Sequence, residues 1–156
     1  MINVTEKFKP KEIYLSKNKG SATMIVGQCP GHQRKKEHDL FVLSGNRIGD
    51  LLAEGIGAKI NIYMTNVFND YYPEIKDGKY PEAVVKEGKE QLIRDINRVQ
   101  PKKIICLGTY ALKHATECVK KCKVKRPTVV MIPHPSYIIR FNKDRNKWKQ
   151  QLQKEL

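Results

Sequence analysis

The segment GQCPGHQ (27–33) places polar and ionisable side chains around a Pro-Gly turn that follows an apolar run. The turn carries two amides, a thiol and an imidazole, from Gln28, Gln33, Cys29 and His32. An amide can hold a water molecule but cannot accept its proton, whereas an imidazole with an ordinary pKa of about 6.5 can act as a base. No carboxylate stands between Met24 and Lys36. Any reaction here must therefore proceed without an acidic residue from the turn itself.

These groups can act with polar residues elsewhere only if the preceding elements end at one edge of the fold. Short apolar segments predict four buried strands: TMIVG (23–27), KINIYMTNV (59–67), KKIICLG (102–108) and PTVVMIP (127–133). Amphipathic segments between and after them predict helices: SGNRIGDLLAEGIG, PEAVVKEGKEQLIRDINRVQP, TYALKHATECVKK and NKDRNKWKQQLQKEL. This alternation predicts an α/β fold, a three-layer α/β/α sandwich with a central four-stranded parallel sheet.

Ligands of such folds bind beyond the carboxyl ends of the strands. Three of the predicted strands end in polar or glycine-containing loops, GQCPGHQ, TNVFNDYY and HPSYIIR. The fourth ends at Gly108 and Thr109 and enters a helix directly, and the first N–H groups of a helix suit a phosphate. We therefore expect the four chain segments to converge on one rim.

Charge is the strongest global signal in the sequence. Lys and Arg number 30 against 16 acidic residues, a formal net charge of +14. A positive field of this size attracts polyanions and speeds encounter with them. We expect a nucleic acid as the partner; the alternative is that the lysines serve only solubility.

Length and composition predict one domain spanning residues 1–156, since 156 residues with 40 % hydrophobic content can bury a single core. No apolar run approaches the length of a membrane span, and the segment MINVTEKFKPKE lacks the features of a signal peptide. We expect an intracellular monomer without a membrane partner.

The cysteines are Cys29, Cys106, Cys118 and Cys122. Cys118 and Cys122 are spaced so that one helix face can carry both, but a zinc or iron–sulfur site needs two further ligands at suitable spacing. Cys106 lies in an apolar strand, where a buried core thiol is typical. We expect no metal site, disulfide or cofactor.

Five segments, in this order, resemble motifs of the uracil-DNA glycosylase superfamily. GQCPGHQ resembles its first motif, a glycine, two variable residues and a proline, and DLFVLSGNRIGDLL resembles the "PFVGxAGxLL" and "GNRF" segments of different branches. YMTNV is similar to "YITNV" of the iron–sulfur branch, IICLGTYAL to "vvlLGxxAl", and HPSYIIR to the second signature, "HPSxxLR". Each match alone is weak, but their order and spacing identify the chain as a member of this superfamily.

The resemblance implies an enzyme that flips a base out of DNA and hydrolyses its bond to the sugar. It implies no lyase step, because no lysine lies in the motif loops to form a Schiff base. His134 matches the histidine that donates to a base oxygen as negative charge develops there. Asn66 matches the asparagine that reads the Watson–Crick edge, and Phe41 the aromatic ring on which the base stacks.

The resemblance also implies roles for residues around these three. Gly27 and Cys29 would line the base pocket, and Ser136, Gly108 and Thr109 would grip backbone phosphates. Tyr137 and Ile138 lie where the family places the wedge that fills the space left by the flipped base. A basic run follows that would track phosphates, Arg140, Lys143, Arg145 and Lys147. For the last three, the alternative is a solvated helix face.

The first motif departs from the family pattern. The commonest uracil enzymes have an acid at its third place, here Cys29, and the iron–sulfur branch has an acid at its second place, here Gln28. The mismatch-specific branches use asparagine at the third place, so an amide can hold the water. Gln28 is our candidate for that role, with His32 or Asp70 as a substitute base. Loss of the carboxylate could slow the reaction by orders of magnitude.

The four-cysteine pattern of the iron–sulfur branch is also absent.

Two alternatives to a glycosylase stay open. One is a glycosylase-like protein that flips or grips DNA without cutting it, which the missing carboxylate favours. The other is an enzyme of another type on the same fold, which modifies a base or hydrolyses a free nucleoside. The high positive charge argues against small free substrates.

Overall fold

A computed structural model describes residues 7–8, 23–28, 41–42, 47–57, 62–68, 79–123 and 125–156 of the chain. The described strands are β1 (Lys7–Phe8), β2 (Thr23–Gly27), β3 (Phe41–Val42), β4 (Ile62–Asn66), β5 (Lys103–Leu107) and β6 (Thr128–Ile132). The described helices are α1 (Arg47–Ile56), α2 (Glu82–Val99), α3 (Thr109–Val119), α4 (Pro135–Arg140) and α5 (Arg145–Glu155).

The central sheet has four parallel strands in the order β4-β2-β5-β6. The chain runs from β2 to β4 on one side of it, and then crosses to β5 and β6 on the other side. This reversal makes the boundary between β2 and β5 the topological switch point, where such folds open a crevice for a ligand. The predicted fold class and the number of central strands are confirmed.

Two hydrophobic clusters cover the two faces of this sheet. Because successive strand residues point to opposite faces, Ile25 belongs to one cluster and its neighbours Met24 and Val26 to the other. The first cluster includes buried residues of α1, α4 and α5, and the second includes buried residues of α2 and α3. The three-layer arrangement therefore follows from apolar strands whose side chains need cover on both sides.

The C-terminal helix α5 is basic, as the sequence predicts, yet it is anchored by an apolar stripe. Trp148 and Leu152 are buried against α1, and the Trp148 indole Nε1–H donates to the Pro133 carbonyl at 2.8 Å. Asp144 caps the helix by accepting from the Lys147 amide at 3.1 Å. The hydrogen bond to Pro133 fixes α5 against the turn that follows β6.

Two features differ from the sequence prediction. HPSYIIR, expected as a loop, contains the short helix α4, because Pro135 stands at its first turn and the His134 side chain caps it. Phe41 lies in the two-residue strand β3, which pairs antiparallel with β1 so that Phe8 is opposite Phe41. No described helix is long and apolar enough to cross a membrane.

Gly88 allows α2 to lie very close to the end of β4. A Cβ at this position would stand 2.6 Å from the Val67 carbonyl oxygen and 3.1 Å from the Phe68 ring. Gly55 in α1 makes a similar approach to α5, but a Cβ there would meet the Leu152 side chain, at 2.7 Å, rather than backbone. Backbone cannot turn away as a side-chain end can, so Gly88 is the more demanding position.

We predict that Gly88→Ala lowers the free energy of unfolding by about 1–2 kcal/mol, since overpacking outweighs the gain in helix propensity. Gly55→Ala is the matched control, with a smaller loss because Leu152 can rotate. Urea denaturation followed by circular dichroism measures both. A Gly88→Ala protein as stable as the parent would show that α2 does not depend on this close approach.

Candidate active site

The carboxyl ends of the four central strands lie side by side at one edge of the sheet. Gly27 of β2 is opposite Asn66 of β4, and Leu107 of β5 is opposite Ile132 of β6. Strands are spaced about 4.8 Å apart, so the backbones of β2 and β6 are roughly 10 Å apart. The expected rim is therefore present, with β5 lying between β2 and β6.

Backbone hydrogen bonds continue past the strands and fix the segments that follow. The Val67 amide donates to the Gly27 carbonyl at 2.8 Å, and the Phe68 amide donates to the Gln28 carbonyl at 2.9 Å. Between β5 and β6, the Gly108 amide donates to the Ile132 carbonyl at 2.9 Å. The first residues beyond β2, β4 and β5 thus continue the hydrogen bonding of the sheet.

Gly108 turns the chain from β5 into α3 in a conformation that suits glycine. Its φ is +93°, in the region that side chains with a Cβ rarely adopt. A Cβ on Gly108 would also stand 3.5 Å from the His134 Cβ. The turn at Gly108 and the residue after β6 are therefore immediate neighbours, as the sequence analysis required.

The orientation of the His134 ring is fixed by Ser136. The Ser136 amide donates to His134 Nδ1 at 3.0 Å, and the Ser136 hydroxyl lies 2.7 Å from the same nitrogen. Because Nδ1 accepts a backbone N–H, the proton of the neutral imidazole lies on Nε2. Ser136 is thus a hydrogen-bonding partner of His134, and its expected contact with a phosphate stays a prediction.

Burial keeps His134 uncharged. Desolvation lowers the pKa of His134 to about 4, well below its ordinary value. The ring is therefore neutral near pH 7 and presents an Nε2–H donor. The Nε2–H group can donate a hydrogen bond to an oxygen on which negative charge develops, and this stabilises the charge.

Gln28 directly follows β2 and makes a long-range hydrogen bond. Its Nε2 donates to the Tyr80 hydroxyl oxygen at 2.9 Å, across 52 residues of sequence. The Gln28 side chain is half-buried. With Nε2 engaged in this way, Oε1 is the atom of the amide that can accept from a water molecule.

Tyr80 is held in turn by a cluster of rings that the sequence analysis missed. The Tyr80 ring stacks on Phe68 at 4.0 Å between centroids, and Tyr110 stacks on His114 at 4.7 Å. Phe68 and His114 are both buried. Tyr80 precedes α2 and belongs to no motif, so only the three-dimensional structure relates it to Gln28.

The remaining expected site residues differ in accessibility. Asn66 is 3 % exposed, at the end of β4 beside Gly27. Thr109 and Arg140 are exposed, as is Tyr137. Ile138 is 5 % exposed and packs in the core with α5, so of the expected wedge pair only Tyr137 offers a surface. Cys29, His32 and Asp70 lie outside the described residues, as does the side chain of Phe41.

The described cysteines do not fit an iron–sulfur cluster. Burial raises the pKa of Cys106 and of Cys118 to about 12 and also raises the pKa of Cys122, which opposes the thiolate form that binds a metal. Cys106 and Cys118 pack in the apolar core between the sheet and its helices. In the part of the chain that the structure describes, no three potential metal ligands come together.

The fold and the site define an α/β protein with a glutamine after β2 and a neutral histidine after β6, both at the carboxyl edge of a parallel sheet. The model of the Uracil DNA glycosylase superfamily matches residues 16–156, so the chain belongs to this superfamily. It is also similar to the Type-4 uracil-DNA glycosylase of Archaeoglobus fulgidus. The two are 28 % identical over 139 residues, which cover 78 % of this chain and 69 % of that protein.

We predict that His134 carries its proton on Nε2 at pH 7 and does not titrate until the pH approaches about 4. Between about pH 6.5 and 4, His134 is protonated in the unfolded chain but not in the folded protein. Lowering the pH through this range therefore lowers the free energy of unfolding. Nitrogen-15 NMR of the imidazoles, assigned with His134→Gln, measures both properties. A midpoint between about 6 and 7, the ordinary histidine range, would contradict the assignment.

Proposed function

We propose that this protein is a monofunctional DNA glycosylase that flips a uracil-type or otherwise altered base out of DNA and hydrolyses its N-glycosidic bond. Superfamily membership and the archaeal relative support glycosylase activity in general. One observation carries the proposal for this chain: His134 is a neutral donor whose ring is fixed by Ser136 at the rim of the sheet.

His134 would stabilise the departing base. When the N-glycosidic bond breaks, its electron pair moves onto the base, and negative charge develops on a carbonyl oxygen of the base. The Nε2–H of His134 would donate to that oxygen, while Nδ1 stays bound to Ser136.

Asn66 and Phe41 would select the base. The Asn66 amide offers both a donor and an acceptor, which is what the Watson–Crick edge of a uracil-type base requires. Its burial beside Gly27 means that a base reaching it has left bulk water, where such hydrogen bonds discriminate best. Phe41 would supply the ring on which the flipped base stacks, a contact worth about 1–3 kcal/mol in single-strand systems.

Gln28 would hold the attacking water. The Tyr80 hydroxyl occupies its Nε2, so Oε1 can accept a hydrogen bond from the water that attacks the sugar carbon. Gln28 cannot take the proton that this water loses; overall, one proton leaves the water and one joins the released base. An amide also offers less stabilisation to the cationic sugar than a carboxylate, so we expect a slow enzyme.

We propose DNA as the partner, an intracellular location and a monomer as the acting form. The net charge of +14 suits a polyanion. The exposed Thr109 at the start of α3 and the exposed Arg140 would contact backbone phosphates on the same side as the rim.

A second candidate is a protein that grips a flipped base without cutting it. The specific observation in its favour is Gln28 at a place where the family carries an acid. This candidate shares the DNA surface and the pocket with the first, and differs only in whether the N-glycosidic bond breaks. Binding measurements alone therefore cannot separate the two.

The deciding experiment incubates the protein with oligonucleotides that contain uracil, hydroxymethyluracil, hypoxanthine or a mismatch, followed by alkaline cleavage. We predict abasic sites from at least one of them. We further predict that His134→Ala slows cleavage at least about a hundredfold, while DNA affinity and the unfolding midpoint stay close to those of the parent. Tight binding with no abasic product from any substrate would establish the non-cutting alternative.

A further inference from the structure

Two aromatic rings stand in solvent at the end of α4. Tyr137 is 46 % exposed and Phe141 is 57 % exposed, with their centroids 5.0 Å apart. Single exposed apolar residues are ordinary on protein surfaces, but a paired set of rings is less so. We call Tyr137 and Phe141, with Lys143 beside them, the aromatic platform.

The backbone beneath the aromatic platform is rigid. Phe141 is the C-cap of α4, and the next residue, Asn142, has a φ of +48°. The Asn142 amide donates to the Ile139 carbonyl at 3.3 Å, and the Lys143 amide donates to the Ile138 carbonyl at 2.9 Å. This pair of hydrogen bonds is the Schellman motif, which ends a helix with a left-handed residue.

In a Schellman motif, an apolar residue after the turn usually packs on the last turn of the helix. Here Lys143 holds that place, with its ammonium 5.9 Å from the centre of the Tyr137 ring. The cap therefore fixes a cation next to two exposed rings. Rings held in place before binding lose little entropy when a ligand stacks on them.

The surroundings of the platform are positively charged. Within the described residues, Arg140, Lys143, Arg145 and Lys147 take part in no ion pair, whereas Lys149 on α5 pairs with Glu54. A groove of about 370 Å³ lies beside the platform, lined by Tyr137, Ile138, Lys143, Asp144, Lys147, Trp148 and Gln151. Its single carboxylate, Asp144, is engaged in capping α5.

We propose that the aromatic platform binds a second, unpaired base of a DNA strand by stacking, with Lys143 and Arg140 on the neighbouring phosphates. The proposal rests on the proposed function in one respect, that the polymer is DNA. The site is separate from the base pocket, because His134 and Phe141 stand at opposite ends of α4, roughly 10 Å apart along the helix. Aromatic stacking near cations is how proteins hold single strands without reading sequence.

The second base would be one in a single-stranded stretch. The platform would thus give the protein a preference for single-stranded DNA. Phe141 is the residue that carries this preference, since Tyr137 alone would offer only one ring. Phe141 lies just outside the segment that matches the family signature, so the signature does not assign it a role.

The test uses undamaged single-stranded and duplex oligonucleotides of the same sequence, with affinity measured by fluorescence anisotropy. We predict that Phe141→Ala weakens single-strand binding about tenfold and duplex binding less. Phe141→Leu, which keeps apolar area but loses the ring, should behave like Phe141→Ala. Met131→Ala is the matched control, because Met131 is 41 % exposed on β6 and stands outside the platform.

Salt dependence separates the roles of ring and cation. Lys143→Ala should reduce the slope of log affinity against log salt by about 0.7 for single strands, whereas Phe141→Ala should leave the slope unchanged. Lys149→Ala, which removes a cation already paired with Glu54 at 3.1 Å, is the control and should change the slope less. A 2-aminopurine base can also be placed at successive positions of the oligonucleotide. Its fluorescence should be quenched by the parent protein and not by Phe141→Ala.

Equal affinities of Phe141→Ala and Met131→Ala for single strands would overturn the proposal, as would quenching that survives in Phe141→Ala. These measurements need no cleavage. If the protein binds as predicted but releases no base, the proposed glycosylase activity is wrong and the stacking proposal is supported. If the protein releases a base but binds single strands equally well without Phe141, the stacking proposal is wrong and the glycosylase activity is supported.

Discussion

The register of the parallel sheet is the constraint on which the candidate site depends. Gly27 pairs with Asn66, and Leu107 with Ile132, so the residues that follow all leave the sheet at the same level. The hydrogen bonds from Val67 to Gly27 and from Gly108 to Ile132 extend that register beyond the strands. A slip of one residue in any strand would reverse its side chains between the two faces and separate these groups.

Much of this arrangement could be predicted from sequence because the apolar patterns of strands and helices, and the Gly and Pro residues that end them, are local features. Such patterns predict the four central strands, the helices between them, the place of Asn66 near the end of its strand and the place of His134 just after its strand. The helix in HPSYIIR was missed because it spans only Pro135–Arg140, too short for a hydrophobic period to show. The Gln28–Tyr80 hydrogen bond was missed because it joins residues 52 positions apart.

Ile138 illustrates a different limit of sequence reasoning. A motif match assigns a role to a position, but α4 turns Tyr137 to solvent and Ile138 into the core. Helical geometry therefore leaves Tyr137 and Phe141, four residues apart on one face, as the exposed pair. The exposure of Phe141 depends on the cap at Asn142, which the sequence offers only as one Asn among many.

The proposed chemistry combines two groups at the carboxyl edge of the sheet. On the proposed water side, the Gln28 amide is held by the Tyr80 hydroxyl. On the proposed donor side, burial keeps His134 neutral. Cys106 and Cys118 belong to the apolar core and take no part in this proposal. The central claim is that hydrolysis by this protein depends on the donor at His134 together with an amide that only orients the water.

Single-turnover cleavage of the best substrate by Gln28→Ala and Gln28→Glu tests this claim most directly. We predict that Gln28→Ala cleaves about a hundredfold more slowly, because the water is misplaced, while its DNA affinity is unchanged. We predict that Gln28→Glu is faster than the parent once the new carboxylate is ionised, because an acid adds the missing electrostatic stabilisation. A Gln28→Ala protein that cleaves at the parental rate would contradict the account.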